Sequence, residues 1–123
     1  MTELVDRVRI LIVDDSEDQQ LLLRRYFERA GCDVVVAGTA LDAIDFHREH
    51  KPDLTVIDLV LPGIDGWDLA DRLSTSAPTS KIAITSVLSV DVYPPQHAAL
   101  PKPVTGAHVR AALQANVPRW AAA

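Results

Sequence analysis

A chain of 123 residues with a formal net charge of −5, 48% hydrophobic and 24% charged, suffices for one folded domain and leaves no room for a second. That composition is globular rather than disordered or fibrous, and the acidic balance argues against direct nucleic-acid binding, which rewards basic patches. No apolar run approaches the roughly 20 residues of a membrane span, the start Met1 to Asp6 is no signal peptide, and Cys32 alone permits neither an internal disulfide nor a Cys-based zinc site; a cytoplasmic protein is expected.

The first apolar run, Ile10-Leu11-Ile12-Val13, ends on the pair Asp14 and Asp15. Leu23, Tyr26, Phe27 and Ala30 then recur at i, i+3, i+4 and i+7, which predicts a helix from about Ser16 to Ala30 terminated by Gly31. Asp14 and Asp15 also suit the positive end of that helix. Val34 to Ala37 reads as a buried strand. Thr39 is a candidate N-cap for a second helix with the stripe Ala40, Ala43, Ile44, His47, which Pro52 is expected to stop. His47 and His50 are spaced to share a metal, but no third ligand lies nearby. Leu54 to Ile57 is the next strand and ends on Asp58. A third helical stripe is Gly66, Leu69, Ala70, Leu73, with Trp67 packing at its start, and Pro78 precedes the strand Ile82-Ala83-Ile84, which ends on Thr85.

Beyond Thr85 the alternation degrades. Val87 to Tyr93 is rich in β-branched residues and is closed by Pro94 and Pro95, which cannot continue a helix. A weak strand, Ala98-Ala99-Leu100, leads to Lys102 between two prolines, whose restrictions fix the local backbone. The last helix has Thr105 as its cap and Val109, Ala112 and Leu113 facing inward, and Arg119 to Ala123 reads as a frayed tail in which Trp120 either anchors the chain or stays loose.

Strands alternating with helices predict an α/β, doubly wound parallel sheet, whose ligands bind beyond the carboxyl ends of the strands. Asp14, Asp15, Asp58, Thr85 and Lys102 would then converge on one rim. Three carboxylates in one pocket repel one another, and Lys102 leaves about two negative charges, which a hard divalent cation with oxygen ligands would cancel. Mg²⁺ together with a phosphoryl group is the expected ligand, and a carboxylate at the end of a buried strand can act as a nucleophile toward phosphorus.

The acidic pair after Ile-Leu-Ile-Val, Asp58 followed by Leu-Val-Leu-Pro62-Gly63-Ile-Asp65-Gly66, Thr85-Ser86 closing a strand, and Lys102-Pro103 together resemble the receiver domain of bacterial two-component response regulators. The resemblance runs from about Arg9 to about Asn116. It implies a single receiver domain over 1–123, with a core of about 9–116 and a tail of 117–123, and a flavodoxin-like strand order 2-1-3-4-5. Asp58 would be the phosphoacceptor, assisted by Thr85 and Lys102. Mg²⁺ would be held by Asp14, Asp15, Asp58 and the backbone carbonyl of Val60, with Asp15 as the direct ligand of the acidic pair. The resemblance also implies a cis Lys102-Pro103 bond. The phosphoryl donor would be a sensor histidine kinase or a histidine phosphotransfer protein, and the output would be altered contacts with a downstream protein, from a monomer that is a switch rather than an enzyme.

Two departures stand against the family pattern. About five residues are missing where the fourth helix belongs, so that helix is expected to be shortened or irregular. The aromatic residue usual three positions before the strand-five lysine is here Ala99. The alternatives are a degenerate receiver that binds partners regardless of phosphorylation, and a Mg²⁺-dependent phosphohydrolase, for which no second acid-base residue or substrate cap is visible.

Overall fold

The computed structural model describes residues 7–77 and 80–121; the start Met1 to Asp6, Pro78 and the last two alanines lie outside the described residues. Five strands, β1 (Arg9–Val13), β2 (Asp33–Ala37), β3 (Leu54–Asp58), β4 (Lys81–Thr85) and β5 (Ala98–Ala99), pair in parallel in the order β2-β1-β3-β4-β5. The connecting helices are α1 (Glu17–Arg29), α2 (Ala40–His50) and α3 (Gly66–Ser76), and α4 (Gly106–Asn116) and the single turn α5 (Pro118–Ala121) close the chain. This is the doubly wound sheet that the alternation predicts, in the flavodoxin-like order that the resemblance implies.

Parallel strands covered on both faces read as continuous apolar runs, and β3 is buried at every position. Period-two alternation sorts those side chains into two cores. Ile10, Ile12, Leu54, Val56 and Ala83 meet Leu23 and Phe27 of α1 and Val109 and Leu113 of α4. Leu11, Val13, Ile57, Ile82 and Ile84 meet Ala43 of α2 and Leu69 and Leu73 of α3. No helix among the described residues is long and apolar enough to cross a membrane.

The helix ends follow local chemistry. Ser16, Thr39, Asp65 and Thr105 each accept a hydrogen bond from the backbone N–H three residues on, satisfying donors that the first turn leaves free. Gly31 ends α1 with φ +88°, a conformation that costs glycine nothing. α2 stops before Pro52 as expected, with Lys51, the residue whose helical conformation the proline disfavours, in a left-handed cap with φ 45° whose N–H donates to the His47 carbonyl at 3.0 Å.

Between Thr85 and Ala98 the only helical element is a single 3-10 turn, Val90–Val92, so the expected loss of a regular fourth helix is observed. Tyr93 fills part of the space, being buried in the α2/α3 core. β5 keeps two residues of its apolar run, and Ala99 is exposed. The tail differs from its reading as frayed. Arg119 clamps Asp53 through two hydrogen bonds of 2.9 and 2.7 Å and reaches the Arg7 carbonyl at 2.6 Å, while the Trp120 indole packs on the core and donates to the Ala30 carbonyl at 2.9 Å. The chain is therefore docked through Ala121.

Candidate functional site

Register builds the site. Val13 lies opposite Ile57, Asp58 opposite Thr85, and Ile84 opposite Ala99. The ladder continues past the strand ends, with Asp14 N–H to the Ala37 carbonyl, Leu59 N–H to Thr85, Leu100 N–H to Ile84 and Lys102 N–H to Ser86. Asp14, Asp58 and Thr85 thus form one row across the carboxyl end of the sheet, and alternation puts their side chains on the same side as Ile12, Val56 and Ala83. Lys102 arrives in the loop after β5.

Its ammonium joins the two buried carboxylates, lying 3.3 Å from Asp14 Oδ2 and 3.1 Å from Asp58 Oδ2. The other oxygen of each carboxylate accepts a backbone N–H, from Ser16 at 2.9 Å for Asp14 and from Val60 at 3.0 Å for Asp58. Asp14 is fully buried and Asp58 nearly so. Burial raises the Asp14 pKa, and the Ser16 N–H and the Lys102 charge offset this only in part. Burial alone would lower the pKa of Lys102, but its hydrogen bond to Asp58 and the charge of Asp14 outweigh that, and the net shift is upward. Asp15 is exposed and has no hydrogen bond or ion pair among the described residues.

Carboxylate oxygens of Asp14, Asp15 and Asp58 all lie within 4.8 Å of one another. Three oxygen donors at that spacing beside a single ammonium suit a hard divalent ion, and the unengaged Asp15 carboxylate is free to ligate. Thr85 Oγ1 is buried with no partner among the described residues. A buried hydroxyl without a partner is costly, and this one stands in register with Asp58, where an incoming oxygen would satisfy it. The Lys102-Pro103 bond is cis. Val60 and Val87, two residues beyond Asp58 and Thr85, expose their side chains at 59% and 79%.

The histidines of α2 do not join a metal-binding group among the described residues. His50 stacks on Phe46 with ring centroids 4.5 Å apart. His47 is fully buried with both ring nitrogens unpartnered, and burial lowers its pKa.

Residue-pattern reasoning missed Ser86 as a junction. Its carbonyl accepts both the Lys102 N–H at 3.0 Å and the Tyr93 hydroxyl at 2.8 Å, and its own hydroxyl accepts the Leu88 N–H at 3.1 Å. It also missed the Trp67 indole, which donates to the Val92 carbonyl at 3.0 Å. A tyrosine seven positions from its partner, in a segment without periodicity, carries no signal; only the concentration of apolar residues before Pro94 marks the stretch as partly buried.

Residues 10–114 match the response regulator receiver domain family. The chain is 36% identical over 83 residues to Protein PilH of Pseudomonas aeruginosa, covering 68% of this chain and 69% of that protein. It is 38% identical over 84 residues to protein-glutamate methylesterase/protein-glutamine glutaminase 5 of Myxococcus xanthus, but the match spans 67% of this chain and only 24% of that enzyme. Among solved structures, the signal receiver domain of a putative Luxo repressor protein from Vibrio parahaemolyticus superposes with a TM-score of 0.83 at 26% identity, covering 94% of each chain.

Proposed function

Since the chain belongs to the response regulator receiver domain family, we propose that it is a phosphorylation switch: Asp58 accepts a phosphoryl group from a phosphohistidine on a sensor histidine kinase or histidine phosphotransfer protein. The observation that carries this reading is the Lys102 ammonium held between Asp14 and Asp58, with the unpartnered Thr85 hydroxyl in register beside them.

An Asp58 carboxylate oxygen forms a bond to phosphorus as the phosphorus–nitrogen bond to the donor imidazole breaks. The electron pair of that bond stays on the imidazole nitrogen, which takes up a proton. Lys102 offers a compact positive charge to the transferred phosphoryl oxygens, and Thr85 donates its hydroxyl to one of them. Lys102 stands beside the Asp58 carboxylate before the reaction, so its charge needs little reorganisation as charge develops. Mg²⁺, held by Asp14, Asp15, Asp58 and the Val60 carbonyl, would supply charge neutralisation and orientation of the phosphoryl oxygens. Asp14 already spends both oxygens on Lys102 and Ser16, which favours Asp15 as the direct ligand.

Because the donor supplies the phosphoryl group and Asp58 retains it, the protein acts as a switch rather than a turnover enzyme, and its signal leaves through contacts with a downstream protein. Incubation with acetyl phosphate and Mg²⁺ followed by mass spectrometry tests the assignment. One phosphoryl mass on Asp58 is expected, lost in Asp58→Asn because an amide is not a nucleophile at phosphorus. Stoichiometric phosphorylation of Asp58→Asn would refute it, and no uptake by the natural chain would favour the phosphorylation-independent reading.

A further inference from the structure

The segment that replaces a regular fourth helix is tied to the Asp58 site from two sides, and the ties close into a ring. On one side, α3 begins directly against the acceptor strand. The Gly66 N–H donates to the Leu59 carbonyl at 3.0 Å, and Gly66 lies so close to Asp58 and Leu59 that a Cβ there would come within 2.6 Å of the Asp58 carbonyl oxygen. The next residue, Trp67, holds the Val92 carbonyl through its indole N–H. Val92 is followed by Tyr93, whose buried hydroxyl donates to Ser86. Ser86 follows Thr85, which pairs with Asp58 and accepts the Leu59 N–H at 3.2 Å. The same Ser86 carbonyl receives the Lys102 N–H, so one peptide oxygen is shared by the flanks of both polar groups that face the acceptor.

We propose that Tyr93 and Trp67 are positioning residues of the phosphoacceptor site: Tyr93, through the Ser86 carbonyl, sets the backbone of Thr85 and Lys102, and Trp67 holds the segment that presents Tyr93. This rests on the reading of Asp58 as phosphoacceptor and adds to it the parts that hold its two assisting groups. Neither residue touches the acceptor, so each acts through the backbone it fixes. Thr85 Oγ1 has no partner to lose, so drawing it toward a bound phosphoryl group displaces the Ser86 peptide and with it the Tyr93 and Val92 bonds. By linkage, whatever couples the phosphoryl group to Tyr93 couples Tyr93 equally to the phosphoryl group.

The test is Tyr93→Phe, which keeps the ring and removes only the hydroxyl, made in a Trp120→Phe background so that Trp67 is the sole indole. Uptake of phosphoryl from acetyl phosphate should slow about fivefold, the worth of one such hydrogen bond, while the Mg²⁺ concentration for half-maximal uptake stays unchanged because the carboxylates are untouched. Beryllofluoride with Mg²⁺ should change Trp67 emission in the Trp120→Phe protein, and Tyr93→Phe should abolish most of that change. Uptake at the parental rate, or the same Trp67 response in both proteins, overturns the proposal. If the Trp120→Phe parent neither takes up phosphoryl nor responds to beryllofluoride, while still folded, the phosphoacceptor reading itself fails. Should Tyr93→Phe not fold, Trp67→Phe serves instead: it leaves the Tyr93–Ser86 bond in place, should slow uptake in the same direction, and counts against the proposal if it does not.

Discussion

Gly66→Ala sets two effects of opposite sign against each other. Gly66 opens α3, has no positive φ, and would gain up to about 1 kcal/mol of helix propensity as alanine. Its added Cβ, however, would stand 2.5 Å from Leu59 Cα, 2.6 Å from the Asp58 carbonyl oxygen and 3.1 Å from the Leu59 carbonyl carbon. All three obstacles are backbone atoms, so no rotamer change relieves them, and the start of α3 must retreat by about an ångström to restore van der Waals contact. That retreat stretches the 3.0 Å Gly66–Leu59 hydrogen bond beyond useful length. Overpacking costs about 1–3 kcal/mol and the lost bond about 1 kcal/mol more, so sterics win and the net loss is about 1–3 kcal/mol. For a chain of this size the melting temperature should fall by roughly 5–10 °C. Urea unfolding should show a lower midpoint with the same slope. An alanine variant as stable as the parent, or more so, would refute the close approach of α3 to the end of β3.

Two further outcomes concern parts remote from Asp58. Burial lowers the His47 pKa below its ordinary 6.5, and that of His97 likewise; below about pH 6.5 the unfolded chain therefore binds more protons at these two sites than the folded one, and they contribute a decline in stability toward pH 5. His47→Met, comparable in bulk and without a proton site, should remove a large part of that decline in urea midpoints taken at several pH values, and an unchanged decline would show that His47 is not its source. At the docked tail, Arg119→Ala removes a half-exposed clamp on Asp53 worth about 1 kcal/mol that weakens with salt. Trp120→Ala removes a partly buried indole and should cost more, about 2–3 kcal/mol; two silent substitutions would return residues 118–121 to the frayed tail that composition suggests.

What the chain reveals without its structure divides along physical lines. Strand and helix order, the caps at Thr39 and Thr105, and the inward faces of α1 and α4 were legible because each depends on neighbours within one or two turns. The convergence of Asp14, Asp58, Thr85 and Lys102 was legible for a different reason: in a parallel sheet every strand ends on the same rim, so polar residues at strand ends meet without any knowledge of loops. Which member of the acidic pair is buried was not legible, since Asp14 continues the Ile10, Ile12 row and Asp15 the Leu11, Val13 row, and both rows are buried. The contacts that escaped are Trp67 to Val92, Arg119 to Asp53 and Trp120 to Ala30, separated by 25, 66 and 90 positions. No periodicity encodes such pairs. Gly66 was read as one of a helical stripe, whereas its lack of a side chain is what the site requires.

The missing fourth helix bears on how a change at Asp58 could travel. A helix there would cover the α2/α3 side of the sheet beyond β4; Pro94 and Pro95 forbid it, and one 3-10 turn with the buried Tyr93 ring takes over part of that cover. Ala99, the place where a mobile ring would be expected, is exposed and has no ring to turn. At Ala99, therefore, no ring is available to carry a change along β5. Besides the Leu59 N–H on the Thr85 carbonyl, the polar ties near Thr85 run through Ser86, which contacts Tyr93, Leu88 and Lys102. Along the chain, a displacement of Thr85 passes through Ser86 before reaching Val87, Leu88, Val90 and Val92, all of which face solvent, and the Leu59, Gly66 and Trp67 ties give a second route to Val92. Loss of the helix thus leaves only a few peptide units between Asp58 and the surface, and, if Asp58 takes up a phosphoryl group as proposed, substitutions within 86–93 should alter signalling more than any at Ala99.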